Sequence, residues 1–148
     1  EVLEKKELEI DNLYLVASSR SAGIKIRFKG KEYEVEELDS FDFSKAKIIF
    51  FAAGGKISEK FAEKASKNSL VIDNSSFFRM DPDVPLIVPQ VNSEDLDSIK
   101  KNIIANPNCS TAQLVIALKP LHDLFVIKRV VVSTYQSVSE VARRQWMN

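Results

Sequence analysis

The sequence predicts an α/β fold in which short buried strands alternate with helices around a mostly parallel sheet. Three observations support this prediction. Compact apolar runs recur along the chain, at residues 13–17, 48–52, 70–72 and 103–105. Helical patterns follow the second and the fourth run, and a polar cluster follows each of the four. Strands and helices that alternate at this spacing are typical of βαβ units.

The composition sets limits on the class of protein. The chain has 148 residues, 45% hydrophobic and 28% charged, which fits one globular domain with a real core. Its 21 basic and 21 acidic residues give a net charge of zero, so nucleic acid is not an expected partner. One cysteine and one histidine exclude an intramolecular disulfide and leave little for a metal site. The apolar runs are too short for a membrane span, and we expect a cytoplasmic location.

The N-terminal part predicts a helix end, one strand and a hairpin. Residues 2–8 carry apolar residues among charges, as at the end of an amphipathic helix. Residues 13–17 form a strand, and a polar loop with Ser18, Ser19 and Arg20 follows it. Residues 24–28 and 33–35 predict a half-exposed hairpin around Lys29-Gly30, which we expect to be an insertion outside the core.

The middle of the chain predicts βαβ structure. Residues 48–52 carry no charge and favour β structure, so they are the strongest candidate for a fully buried strand. A helix fits residues 58–67, with Phe61, Ala62 and Ala65 facing inward. Residues 70–72 then predict a second buried strand.

The last third predicts three further elements and the start of another sheet or domain. Residues 86–88 are extended, and a short helix covers residues 93–101. Residues 103–105 form a strand, and the apolar spacing from Leu114 to Phe125 predicts a helix. Residues 126–135 predict a long strand around Val130–Val132.

The chain's one cysteine lies at a strand-to-helix turn, in Asn106-Pro107-Asn108-Cys109-Ser110-Thr111. Pro107 ends the extended run, and Asn108 is a good helix cap. Cys109 should therefore lie in the first helical turn, where backbone N–H groups and the helix dipole favour a thiolate. The alternative is a small buried hydrophobic side chain.

The four polar clusters predict one site, because ligands bind at the carboxyl ends of strands in an open parallel sheet. Arg20, in a loop without an acidic residue, would suit the extra phosphate of NADP, or it is a solvated loop charge. Arg79 stands among apolar residues and needs a partner, either Asp81 or an anionic substrate. His122 is expected to be a surface residue near the end of its helix.

Five collinear motifs resemble the bacterial aspartate-semialdehyde dehydrogenases. They are Asp73-Asn74-Ser75-Ser76, Phe78-Arg79-Met80, residues 88–92 (VPQVN), Asn106 to Thr111, and residues 133–139 (STYQSVS). The resemblance implies a Rossmann-like NADP-binding domain, partial here, over residues 1–108. It implies the start of a catalytic and dimerisation domain over 109–148, in an enzyme that is a homodimer or homotetramer.

The resemblance also implies a reaction and residue roles. The reaction is reductive dephosphorylation of aspartyl phosphate to aspartate semialdehyde and inorganic phosphate, in lysine, threonine and methionine biosynthesis. Cys109 would be the nucleophile that forms a thioester, and Asn108 and Gln136 would line the substrate pocket. Arg79 would hold the phosphate. The cofactor residues would be Ser18, Ser19, Arg20, Ala53, Gly54 and Asn74.

The sequence departs from the family at both ends. The family's first strand and glycine-rich turn should precede Glu1, and residues 140–148 do not match the family. The acid/base histidine of the family has no match, so we expect the chain as given to be inactive by itself. The alternatives are another acyl-phosphate reductase, such as the N-acetyl-glutamyl-phosphate type, and a non-catalytic binding module on the same scaffold.

Overall fold

A computed structural model describes residues 9–135 of the chain. They fall into two compact units, whose described parts are residues 9–116 and 117–135. The helix predicted for residues 2–8, the candidate site residue Gln136 and the tail 140–148 lie outside the described residues. The domain boundary placed after Asn108 stays a prediction.

The first sheet contains β1 (Leu15–Ala17), β2 (Lys25–Phe28) and β3 (Lys31–Glu37). β3 is central: it pairs antiparallel with β2 and parallel with β1, where Leu15 lies opposite Val35. The predicted hairpin is confirmed. Its placement outside the core is wrong, because β3 holds the sheet together and Val35 is buried.

The second sheet is fully parallel. Its order is β4 (Ile48–Phe51), β5 (Leu70–Asp73) and β6 (Ile103–Ala105). The predicted extended run 86–88 adds a bridge from Leu86 to Ala105, with the Ile87 N–H donating to the Ala105 carbonyl at 3.0 Å. The predicted α/β class with parallel strand pairs is confirmed.

Within residues 9–135, three α-helices follow strands or extended segments. α1 (Gly55–Ala65) begins three residues before the predicted start, directly after Gly54, and buries Phe61, Ala62 and Ala65 as predicted. α3 (Cys109–Phe125) begins at the cysteine. The short α2 (Pro89–Asn92) is followed by a 3₁₀ turn, Ser93–Ser98, where one α-helix was predicted. The Asn92 side chain explains this break, because it donates to Asp95 and closes a tighter turn.

The core lies between α1, the second sheet and the loop before β4. Aromatic rings fill much of it, with Phe43 in contact with Phe41, Phe51 and Phe61. The buried cluster consists of Phe41, Phe43, Phe51, Phe61, Ala62, Ala65, Val71, Phe78, Val84, Ile103 and Ala105. Tyr14 and Val16 of the first-sheet region pack against this cluster. None of the helices described between residues 9 and 135 has the length and apolar character to cross a bilayer.

One prediction of burial and one prediction of a strand are wrong. Ile48 and Phe50 of β4 are 54% and 67% exposed, because α1 covers one face of the strand and no element of residues 9–135 covers these side chains. The structure has no strand within residues 126–135, and Val131 is 78% exposed. A strand needs a partner for its backbone hydrogen bonds, and residues 117–135 of this unit provide none.

Candidate active site

Three of the four polar clusters lie at one edge of the second sheet. Ala53–Gly54 follows β4, Asn74–Ser76 follows β5, and Asn106–Cys109 follows β6. Phe51 and Ala105 both lie opposite Asp73 in the register, so the three strands end side by side. The structure therefore brings these clusters together at the carboxyl ends of the strands, where open α/β sheets bind ligands.

Hydrogen bonds beyond the strand ends connect the three clusters. The Asn74 N–H donates to the Phe51 carbonyl at 2.9 Å, and the Asn106 N–H donates to the Asp73 carbonyl at 2.8 Å. Side chains add a bond, from Asn106 Nδ2 to Asn74 Oδ1 at 2.6 Å. Asn106 had no role in the sequence prediction, although it lies within the predicted turn.

Arg79 joins the same edge through its guanidinium. Its Nε donates to the Asn106 carbonyl at 3.0 Å and its Nη2 to the Asn74 carbonyl at 3.3 Å. The alternative in which Asp81 neutralises Arg79 is wrong, because Asp81 pairs with Lys101 at 2.9 Å. Within residues 9–135 no carboxylate pairs with Arg79. Its positive charge is held by neutral acceptors and can attract an anion.

The Asp81–Lys101 pair stabilises the loop that follows Arg79. The hydrogen bond from Lys101 lowers the pKa of Asp81 below its ordinary value, and the Asp83 N–H lowers it further. The same contact raises the pKa of Lys101. A second pair, Lys100 with Asp83 at 2.9 Å, lies in the same loop region.

Cys109 is the first residue of α3 and is exposed, so the alternative of a buried hydrophobic side chain is wrong. Asn108 acts as the predicted helix cap, because its Oδ1 accepts the Ser110 N–H at 3.0 Å. The Ser110 hydroxyl donates to the same oxygen at 2.6 Å, and the thiol lies 3.9 Å from it. The cap thus fixes the turn that presents the sulfur to solvent.

The start of α1 forms the third side of this edge. We call the edge the rim; it consists of Ala53–Gly54, Asn74–Ser76, Arg79 and Asn106–Cys109. Gly54 has a φ of 92°, a conformation that favours glycine, and open space surrounds the position of a side chain there. Its carbonyl accepts the N–H groups of Ile57 and Ser58. An open helix start with glycine at the cap lets a dinucleotide approach the backbone, so this part of the chain fits such a cofactor.

The remaining predicted residues are separate from this rim or untested. Ser18, Ser19 and Arg20 are exposed in the turn after β1, as expected of a loop. Among residues 9–135, no hydrogen bond joins this turn to the other three clusters. His122 is exposed on α3, in the second unit. The roles of all the predicted site residues stay predictions.

Sequence reasoning gave Asp73 no role of its own, although this residue lies in the first of the five motifs. Asp73, the last residue of β5, is fully buried, and its carboxylate accepts hydrogen bonds from the hydroxyls of Ser58 and Ser75, each at 2.7 Å. The Ser75 N–H also donates to it at 3.1 Å. The spacing of Asp and Ser at i and i+2 after a strand indicates such a turn and could have drawn attention to it.

A parallel sheet with a glycine-started helix and a polar rim is the arrangement of a dinucleotide-binding domain. The model of the family described as "Semialdehyde dehydrogenase, NAD binding domain" matches residues 1–99. The chain therefore belongs to the semialdehyde dehydrogenase family, with residues 1–99 matching its NAD-binding domain.

Similar proteins agree with this assignment. Aspartate-semialdehyde dehydrogenase of Shewanella violacea is 53% identical over 94% of this chain, and the chain spans 42% of that relative's length. Aspartate semialdehyde dehydrogenase II of Vibrio cholerae has a solved structure with 48% identity and a TM-score of 0.89, covering 97% of this chain and 43% of that one.

Two further solved structures contain ligands. One is the Vibrio cholerae enzyme complexed with ASA, with 48% identity and a TM-score of 0.80, covering 82% of this chain and 40% of that one. The other is aspartate semialdehyde dehydrogenase with NADP from Candida albicans, with 29% identity and a TM-score of 0.69. It covers 85% of this chain and 43% of that one.

Proposed function

We propose that the protein reduces L-aspartyl 4-phosphate to aspartate 4-semialdehyde with NADP as cofactor, through a thioester on Cys109. The observation that carries the proposal is the common rim, where the exposed thiol of Cys109 begins α3 and the Arg79 guanidinium binds the backbone of Asn106. The relatives named above support the substrate and the cofactor.

Each residue of the rim has a chemical task in this proposal. The Cys109 sulfur attacks the acyl carbon, the bond from that carbon to the phosphate oxygen breaks, and inorganic phosphate leaves with the electron pair. Arg79 holds the phosphate through the N–H groups that point away from its two carbonyl partners. Reduction of the resulting thioester by a hydride and a proton would give a thiohemiacetal, from which the Cys109 thiolate leaves as the aldehyde forms, so Cys109 is regenerated.

The cofactor supplies the hydride that reduces the thioester. At Gly54 and the start of α1, the dinucleotide would approach the backbone closely. Asn74 would lie at the boundary between cofactor and substrate. Arg20, with Ser18 and Ser19, would receive the 2′-phosphate that distinguishes NADP from NAD. A catalytic thiol needs a reducing compartment, so we place the protein in the cytoplasm. We also propose the homodimer or homotetramer implied by the resemblance.

The test uses the reaction in the oxidative direction with the whole protein. With aspartate semialdehyde and NADP but without phosphate, the acyl group should remain on Cys109, and NADPH should appear as one burst per active site. Added phosphate should convert the burst into steady turnover. Mass spectrometry of the peptide that contains Cys109 identifies the adduct.

Cys109→Ser is the matched control, because it keeps the shape of the side chain and removes the thiol. It should show neither the burst nor the adduct. Steady turnover without any phosphate requirement, or an unmodified Cys109 during the burst, would exclude the mechanism. Turnover with an N-acetylated glutamyl substrate instead would favour the other acyl-phosphate reductase.

We also propose that the 148-residue chain by itself has little or no turnover. It spans 42% of the Shewanella violacea relative, and the resemblance assigns the acid/base histidine to a part of the family without a match here. General acid–base catalysis contributes about 10²–10⁴-fold. Turnover by the 148-residue chain equal to that of the whole protein would contradict this.

A further inference from the structure

The Asp73 carboxylate connects the start of α1 to the turn after β5. One oxygen accepts the hydroxyl of Ser58, in the first turns of α1, and the N–H of Ser75. The other oxygen accepts the Ser75 hydroxyl. The two oxygens of Asp73 thus accept three hydrogen bonds.

Burial makes this connection rigid. Asp73 and Ser58 are 0% exposed, and Ser75 is 7% exposed. Within residues 9–135, no cation pairs with Asp73. A fully buried carboxylate without a cation is costly unless its hydrogen bonds are well placed, so all three donors are held in position.

The hydrogen bonds of Asp73 form a network with two arms: the helix arm runs through Ser58, and the turn arm runs through Ser75. Each arm reaches a different part of the rim. Ser58 also lies 3.5 Å from the Gly54 carbonyl, at the open start of α1. On the other arm, the Ser75 hydroxyl accepts the Phe77 N–H at 3.1 Å and so shapes the turn that leads to Arg79. Gly55 and this turn are close neighbours, because a side-chain carbon at Gly55 would lie 3.9 Å from Phe77 Cβ.

We infer that Asp73 is a positioning residue that fixes the cofactor side of the rim, at Gly54 and α1, relative to the anion side, at Asn74 and Arg79. This inference rests on the proposed function for what the two sides bind. Asp73 touches neither substrate nor cofactor in this assignment. It acts through Ser58 on one side and through Ser75 on the other.

Two single substitutions separate the arms in the whole protein. Ser58→Ala removes the helix arm and should raise KM for the dinucleotide while KM for phosphate stays unchanged. Ser75→Ala removes the turn arm and should raise KM for phosphate while KM for the dinucleotide stays unchanged. We expect changes of about tenfold, the size of one lost hydrogen bond to a charged group.

Asp73→Asn should impair both sides at once and also lower kcat, since an amide cannot accept three donors in this geometry. Ser69→Ala is the control for stability alone. Ser69 is also buried and donates to the carbonyls of Phe43 and Ala46 at 3.0 and 2.6 Å, at the opposite end of β5. The Ser69→Ala substitution should lower Tm without changing the KM for phosphate or for the dinucleotide.

Hydrogen exchange provides a readout that does not depend on activity. Asp73→Asn should speed exchange in residues 54–58 and 74–79 together, and Ser69→Ala should leave both segments protected. If the wild-type protein lacks the proposed activity but this paired loss occurs, the proposed function fails and the positioning role stands. If all four variants lower Tm and leave the KM values and these segments unchanged, Asp73 is only structural and the inference is overturned.

Discussion

Replacing Arg79 by lysine tests how the rim recognises an anion. The guanidinium uses Nε and Nη2 for the carbonyls of Asn106 and Asn74, at 3.0 and 3.3 Å, so its remaining N–H groups can face a ligand while the plane stays fixed. A lysine ammonium is a point charge on a flexible chain and cannot bind both carbonyls and present a planar fork. Arginine and lysine both carry one positive charge, so the substitution tests only the geometry of the hydrogen-bond donors.

The expected loss follows from these contacts. Removing one charge-assisted hydrogen bond to phosphate costs about 1.5–3 kcal/mol, which is roughly a ten- to hundredfold rise in KM for phosphate. The dinucleotide contacts other residues in our assignment, so its KM should change less than about threefold, within the range of ordinary surface substitutions. Initial rates of the whole protein in the oxidative direction, with phosphate and NADP varied separately, measure both values.

Arg27→Lys is the matched control for this experiment. Arg27 is an exposed residue of β2, opposite Glu32 in the hairpin and outside the rim. Its substitution should change neither KM. Equal losses for phosphate and dinucleotide in Arg79→Lys would show that Arg79 only supports the ends of β5 and β6, and an unchanged KM for phosphate would refute the anion site.

Two further substitutions and one labelling experiment test the remaining assignments. Arg20→Ala should weaken NADP by about ten- to a hundredfold and leave NAD nearly unchanged, since only NADP carries the extra phosphate; equal loss for both cofactors in binding titrations would make Arg20 structural. Iodoacetamide should modify Cys109 faster in the folded protein than in urea, as expected of a thiol at a helix start, and equal rates would contradict its activation. Asp81→Asn should reduce stability at pH 7, because the lowered pKa of Asp81 contributes stability that is present above its ordinary value of 3.8 and is lost as pH falls below it. Urea unfolding curves of this variant and the wild type should therefore converge between about pH 4 and pH 2, and a constant gap would refute the ion-pair explanation.

Local sequence patterns predicted the parallel strands and the turn at Cys109 well. β4, β5 and β6 are short apolar runs, and Pro107 with Asn108 defines the start of α3 through contacts within a few residues. Both signals are local, so they need no knowledge of the rest of the fold. The helix α1 was predicted for the same reason, although its start depends on the backbone of Gly54.

Predictions that depend on distant partners failed. β3 was predicted as one arm of a half-exposed hairpin outside the core, yet its parallel partner β1 lies about 20 residues earlier, with Leu15 opposite Val35. Nothing in the local pattern indicates that pairing. The same reason explains residues 126–135: a β-favouring composition does not form a strand without a neighbour.

Asp73, at the end of β5, and Arg79, in the loop after it, show why composition alone could not define this rim. Asp73 and Arg79 have opposite charges, and either could have neutralised the other, yet the structure gives each of them neutral partners. Hydroxyl and N–H donors hold the buried carboxylate, and carbonyl oxygens hold the guanidinium. A direct ion pair would cancel the positive charge at the rim, whereas this arrangement fixes both groups and keeps that charge for an anionic ligand. In the proposed function, the separation of the two charges is the feature that suits the rim to bind phosphate. It depends on Ser75, which lies in a predicted polar cluster, and on Ser58, the first residue of the predicted helix.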